Sequence, residues 1–310
     1  MAVSTRLQSR WGWLFLGFPL LGVTELQAHL AQRAAAPAAV DFVRAKDAAG
    51  PLAADDTVIF APRWADPLGR AAFADRFAND RARAAPADLA RFAHVLEVAE
   101  KGAHEPELGA WPVQWEKPVG RLILRLHENP TFAKIADPLM PRVGTDRLQV
   151  TQSGRDCPLL HGTASAGTWG VATPSVRYGC GGGAVGMVVV PDQEYRLRHC
   201  LLVPAGPAPT RVRFVDVAFG GAVRLAYGLH TEGERTLNNA PVQLRVLVQT
   251  DTADGGTRDV ELGNDTHEDG QGWKYLDVAT PSLRGQTGDL HVEVSSAGAH
   301  RPVCFGAFTR

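Results

Sequence analysis

The longest unbroken apolar stretch lies near the start, over 11–23 (WGWLFLGFPLLGV), behind Arg6 and Arg10 and no acid. That order of charge and hydrophobicity marks an export signal. The run is shorter than the roughly 20 residues of a full span. Residues 24–30 (TELQAHL) extend it, and Trp11 and Trp13 stand at its other boundary, as interfacial rings do. Small residues suited to cleavage come only at Ala34 to Ala36, far downstream, so a retained anchor is expected rather than a cleaved leader. The arginines hold the N-terminus inside, which places the body outside: a bacterial inner-membrane protein with a single span, a signal-anchor and stalk over 1–37, and its body in the periplasm.

Beyond residue 37 the period changes. Residues 38–49 (AAVDFVRAKDAA) predict a helix with Val40 and Val43 on its buried face, ended by Gly50-Pro51. Residues 57–62 (TVIFAP) form a short continuous apolar run, the mark of a buried strand. Helical spacing follows over 66–84, with Asp66 as N-cap ahead of Pro67, and over 87–101, with Leu89, Phe92, Leu96 and Val98 or Ala99 in register. Residues 120–127 (GRLILRLH) alternate as a strand does. A small α/β domain over 38–130 results, with 131–145, rich in proline, as linker. From 146 to 310 the pattern is of short strands: 148–152, 186–190, 200–203, 210–217, 223–227, 242–249, 258–262, 274–278 and 289–294. Turn residues separate them at regular intervals, which predicts an antiparallel β-sandwich of jelly-roll type. The fold class is therefore α/β + β behind one membrane helix.

Composition sharpens this picture at two points. With 310 residues and a formal net charge of -1, the chain has no basic body and no basic run interleaved with aromatics, so nucleic acid is not an expected partner. All four cysteines, Cys157, Cys180, Cys200 and Cys304, fall in the second half without the close spacing of a zinc site. They read as disulfides of an oxidising compartment. Of the three possible pairings, Cys157 with Cys180 and Cys200 with Cys304 is the one expected.

Candidate chemistry is sparse. No nucleophile elbow or P-loop occurs, the glycines at 179–183 precede a strand, and His104, Glu105 and Glu107 lack the second histidine of a zinc protease. No catalytic residue and no metal ligand is assigned. Tyr227, His230, Glu232 and Arg235, at the end of a strand, offer one ring and three hydrogen-bonding groups to a ligand. Trp273 and Tyr275 alternate with Lys274, so both rings face one side, to stack on a sugar or to cover the core. Asp265, His267, Glu268 and Asp269 form an acidic loop with oxygens for calcium, though without the spacing of a calcium loop.

Two resemblances add to this. The helix carrying DFVRA, the strand carrying VIFAPRWADPLGR and the later HENP resemble the extracytoplasmic region of bacterial membrane glycosyltransferases that use polyprenyl-phosphate sugars; this implies an accessory module, since the catalytic loops of that family are missing. The succession CLLVP, RVRFVDVAFG, VRLAYGL, PVQLRVLV and GWKYLDVATPSL resembles galactose-binding-like carbohydrate-binding jelly rolls. The leading expectation is a non-catalytic, membrane-anchored envelope protein whose sandwich binds glycan or a protein partner. The alternatives are an accessory or catalytic part of a glycosyltransferase or other glycan-processing enzyme, and a structural subunit of an envelope assembly.

Overall fold

The computed structural model describes residues 21–28, 30–31, 36–77, 80–165, 173–181, 183–235, 239–251, 256–298 and 301–310. Residues 11–20, which hold most of the expected anchor, lie outside these. Residues 21–28 are helical and expose Leu21, Val23 and Leu26. Among the described residues no helix is long and apolar enough to cross a membrane.

The chain divides into two compact units, Met1–Pro51 with Ile59–Ala74 and Leu96–Leu126, and Leu52–Val58 with Asp75–Val95 and His127–Arg310. In the first, the helix Ala39–Ala49 starts where the Asp41 carboxylate accepts the Ala38 N–H at 2.9 Å. Its buried face is Phe42 and Ala45, whereas Val40 and Val43 are exposed, the reverse of the expected stripe. An aromatic decides the orientation: Phe42 packs edge-on against Phe60 at 6.2 Å, and Phe60 against Phe73 at 5.5 Å. The predicted helix over 66–84 is broken into Asp66–Ala72, a turn at Ala74–Arg76 and Arg81–Ala84. Asp66 stands at its first helical position, one residue past the N-cap, and its carboxylate pairs with Arg70.

The helix expected over 87–101 is not there. A short turn, Leu89–Arg91, leads into strand β2 (His94–Glu100), which lies in a four-stranded sheet ordered β1 (Asp56–Ala61), β2, β4 (Leu122–Glu128), β3 (Val113–Val119). Residues 95–99 are all buried, and a segment with neither side exposed is apolar throughout, so its pattern fits period 3.6 as readily as period 2.

The second unit is a β-sandwich. Among the described residues one sheet has eight strands, running β16 (Lys274–Ala279), β13 (Ala222–Leu229), β18 (Arg301–Thr309), β11 (Leu197–Ala205), β10 (Gly183–Pro191), β9 (Val176–Cys180), β8 (Leu159–His161), with β5 (Asp137–Pro138) also paired to β18. The other has six, in the order β15 (Thr257–His267), β14 (Val242–Asp251), β17 (Thr287–Ser296), β12 (Thr210–Ala218), β6 (Leu148–Gln152), β7 (Arg155–Asp156). Val212 and Phe214 of one sheet meet Leu225, Tyr227 and Phe305 of the other in a single apolar cluster. The stretch expected as linker belongs to this sandwich, since Leu139 is fully buried in that cluster and Asp137–Pro138 is a strand. Strand β18, which follows the 289–294 strand and carries Cys304, pairs with β13 from Val303 to Thr309 although Gly306 lies within it. Both disulfides form as expected, Cys157 with Cys180 and Cys200 with Cys304.

The outward face of the six-stranded sheet is a lattice of ion pairs. Arg211 and Arg245 both bind Glu293, at 2.9 and 3.0 Å; Arg245 also binds Glu261 at 2.7 Å; Arg213 pairs with Asp289. Among the described residues, charges so matched cover the sheet and leave no aromatic platform. Beneath them His291 is buried with neither ring nitrogen hydrogen-bonded among the described residues. Burial, together with Arg211 and Arg213, pushes its pKa below the usual histidine range against the opposing pull of Asp259 and Asp289. A neutral native imidazole that protonates readily when unfolded stabilises fully above about pH 6.5 and progressively less as the pH falls toward its lowered value. Acidification from about pH 7 to pH 5 therefore lowers the unfolding free energy, by up to about 1.4 kcal/mol per pH unit for this one group. In His291→Leu the slope of stability against pH, read from denaturant titrations, should fall by that one proton's share. An unchanged slope would remove His291 from the account.

Candidate functional site

Strands β11 and β18 run side by side only from Leu201↔Phe305 to Ala205↔Arg301. Beyond that pair they part. The edge of β18 is then taken by β5, with Phe308↔Pro138 and Thr309↔Asp137 in register and the Leu139 N–H on the Ala307 carbonyl at 3.3 Å. The edge of β11 is taken by Ala85, whose carbonyl accepts the His199 N–H at 2.7 Å. A cleft of about 710 Å³ opens at this fork, within the sandwich unit.

A strap of chain, residues 85–88, forms one wall, and the sheet holds every residue of it. Besides Ala85, the Pro86 carbonyl accepts from Arg198 at 3.3 Å, the Ala87 carbonyl accepts the Trp273 indole N–H at 2.7 Å, and the Asp88 carboxylate pairs with Arg224. Arg198, almost wholly buried, is held in turn by Asp192 at 2.9 Å and lies 5.1 Å from the Trp273 ring centre. Close approach needs small residues beneath. A Cβ at Gly306 would stand 2.8 Å from that of Ala87, and one at Gly228 would stand 2.7 Å from the Trp273 ring. Under the strap, Val188, Val190 and the Cys200–Cys304 disulfide make a second apolar cluster.

The cleft is amphipathic. Met140, Met187, Ile135 and Phe308 give it apolar walls, while Asp80, Arg81, Asp88, Arg91 and His199 line the rest. Its two carboxylates are committed. Asp88 also accepts the Ala90 N–H at 2.8 Å, and Asp80 caps the helix Arg81–Ala84 through the Arg83 N–H at 2.9 Å. Burial, then Arg81 and Arg91, push the His199 pKa down against Asp80, so the ring is neutral at pH 7.

The residues singled out in the sequence are distributed otherwise. Tyr227 is fully buried in the core and its hydroxyl donates to Asp265; burial, and then that carboxylate, push its pKa well above the usual tyrosine range. His230 is buried too, its Nδ1 accepting the Glu232 N–H at 3.1 Å at the start of the helix Thr231–Arg235. Only Glu232 and Arg235 face solvent, and the Arg235 guanidinium lies 4.7 Å from the centre of the Tyr195 ring. These four residues do not converge on a site. Trp273 clamps the strap, and Tyr275, partly exposed, carries the Arg224 guanidinium 4.8 Å from its ring centre. Nor do the acids at 265–269 form a calcium cradle: Asp265 binds Lys274 at 3.0 Å, Asp269 binds Arg301, and His267 is buried on Glu234 at 2.6 Å.

In the first unit the buried Glu97 carboxylate receives Arg125 at 3.1 Å, His104 at 3.1 Å and the Glu105 N–H. That hub is an internal ion-pair network. Arg81, Arg91 and His199, by contrast, line the cleft, and sequence reasoning passed over them. RARAAPADLARF reads as helix, and nothing in it announces that the chain is strapped across a sheet built from residues more than a hundred positions later.

No family model matches the chain, and no curated protein matches it either. Solved structures similar to it include a carbohydrate-binding module described as specific for non-crystalline cellulose, CBM28, with 10% identity, 40% of this chain and 80% of that one covered, and a TM-score of 0.30. The CBM22-1 xylan-binding domain of Paenibacillus barcinonensis Xyn10C is 17% identical over 48% of this chain and 94% of its own, with a TM-score of 0.27. Caldicellulosiruptor saccharolyticus CBM27-1, solved in complex with mannohexaose, is 12% identical over 40% and 80%, with a TM-score of 0.26. The likeness of the first third to glycosyltransferases is not shown by these comparisons.

Proposed function

We propose that the chain is a non-catalytic envelope protein, retained at the membrane by its N-terminal segment, whose sandwich binds glycan outside the cytoplasm in the cleft at the strand fork. The cleft carries this reading. Its about 710 Å³ suits a small ligand, and apolar walls beside convergent polar side chains suit a molecule with CH faces and hydroxyls. Committed carboxylates favour holding a ligand over acid–base work on it, since Asp88 is taken by Arg224 and Asp80 by its own helix. Two disulfides agree with an oxidising compartment.

The test is a glycan array probed with the full chain in detergent, alongside Ala82→Trp. Ala82 lines the cleft half-buried on a short helix, so the indole fills the site without entering the sandwich core. Binding by the wild type, lost at least about tenfold in Ala82→Trp with thermal unfolding little changed, is expected. A wild type that binds no glycan sinks the reading; equal binding by the variant moves the site elsewhere.

A further inference from the structure

We propose that the glycan accepted by the fork cleft is anionic, with a carboxylate or sulfate group held between Arg81 and Arg91. This rests on the cleft being a glycan site, and names the class of glycan it selects.

Charge around the cleft is unbalanced. Four guanidinium groups, those of Arg81, Arg83, Arg91 and Arg224, stand against three carboxylates, Asp80, Asp88 and Asp277. Arg224 takes both Asp88 and Asp277, and Arg83 approaches Asp80 at 3.9 Å. Arg81 and Arg91 are left over: among the described residues neither forms an ion pair within 4.0 Å, although both line the cleft. Arg91 is half-buried, and burial pushes its pKa below the usual arginine range despite the nearby Asp80 and Asp88. The neutral imidazole of His199 reports the same local field, since both arginines act to lower its pKa.

A guanidinium partly removed from water without a matched anion is costly to the folded protein, and a ligand that supplies the anion recovers part of that cost on binding. Planar guanidinium groups meet carboxylate and sulfate oxygens through paired N–H donors. The apolar lining residues Met187, Phe308, Met140 and Ile135 offer no partner to a charge but suit the CH face of a sugar ring. An anion at one side of an otherwise amphipathic molecule satisfies both halves.

The experiment is calorimetric titration of the full chain in detergent with four probes: trigalacturonate, a sulfated disaccharide, a neutral galactose trisaccharide and inorganic sulfate. At least one anionic saccharide should bind about tenfold or more tightly than the neutral one, and weaken with added salt. The tighter of the two identifies the anionic group. Arg91→Gln and Arg81→Gln should each weaken that binding about ten- to hundredfold, with Arg91→Lys recovering part. Arg245→Gln, on the charged face of the other sheet, should leave it unchanged, and thermal unfolding of each variant separates lost binding from lost fold. Neutral saccharide bound as tightly as the anionic ones overturns the selectivity and leaves the glycan site standing. Inorganic sulfate bound as tightly as either anionic saccharide overturns the assignment of the anion to a sugar. No binding of any saccharide overturns both.

Discussion

Replacing Glu234 by alanine should cost the sandwich about 3–5 kcal/mol, since it leaves buried donors unpaired at about 1–3 kcal/mol each. Glu234 and His267 are both wholly buried, with His267 Nε2 donating to the carboxylate at 2.6 Å. The same carboxylate accepts the buried Leu229 N–H at 3.2 Å and the N–H of exposed Gly270 at 3.1 Å, so one side chain satisfies three donors, two of them out of reach of water. Alanine would leave His267 and the Leu229 N–H without an acceptor. Glu234→Gln keeps an acceptor oxygen and should lose clearly less. Glu232→Ala and Arg235→Ala, exposed on the same helix, should stay within about 0.5 kcal/mol of the wild type. Denaturant unfolding decides it: a loss under about 1 kcal/mol for Glu234→Ala would mean that the pair is not the closed, dry network described above.

Opening Cys200–Cys304, as the double alanine variant, should cost about 4–5 kcal/mol on the chain-entropy account, since the bridge closes a sequence separation of 104 residues. Cys157–Cys180 spans 23 and should cost about 3 kcal/mol. Position adds to length. Cys200 and Cys304 flank the last register pair, Leu201↔Phe305, so their bridge lies at the crotch of the fork and beneath the strap that walls the cleft. Its loss should therefore impair ligand binding as well as stability, whereas loss of the other, beside β7 and β9, should leave binding intact. The reverse order of stabilities, or binding unaffected by the Cys200 and Cys304 variant, would contradict this placement. Cys180 is only partly buried while Cys200 and Cys304 are fully so, and a reductant should open the shorter loop first.

Strand alternation between sheet faces is a local property, and for that reason most of the sandwich strands were legible in the sequence. In β12, Thr210, Val212 and Phe214 face inward while Arg211 and Arg213 face the ion-pair lattice, a difference the side chains themselves declare. The disulfide pairing was readable for a related reason: once the strands are placed, an early strand and the last one are brought together. Burial on both sides erases that declaration, and hence the pattern of β2 reads as a helix. Position within the core is likewise not local. Tyr227 has the polar tip of a binding residue and the ring of a core residue, and only the tertiary structure brought Asp265 of β15 to its hydroxyl. Residues 85–88 show the limit most plainly. Nothing in APAD distinguishes a strap from a loop; it becomes one because Arg198, His199, Arg224 and Trp273, remote in sequence, present their donors to it in order. Composition and periodicity thus determined that this chain carries a disulfide-bearing β-sandwich. The cleft was decided by the tertiary structure alone, because it exists only where two strands that belong to one sheet cease to pair.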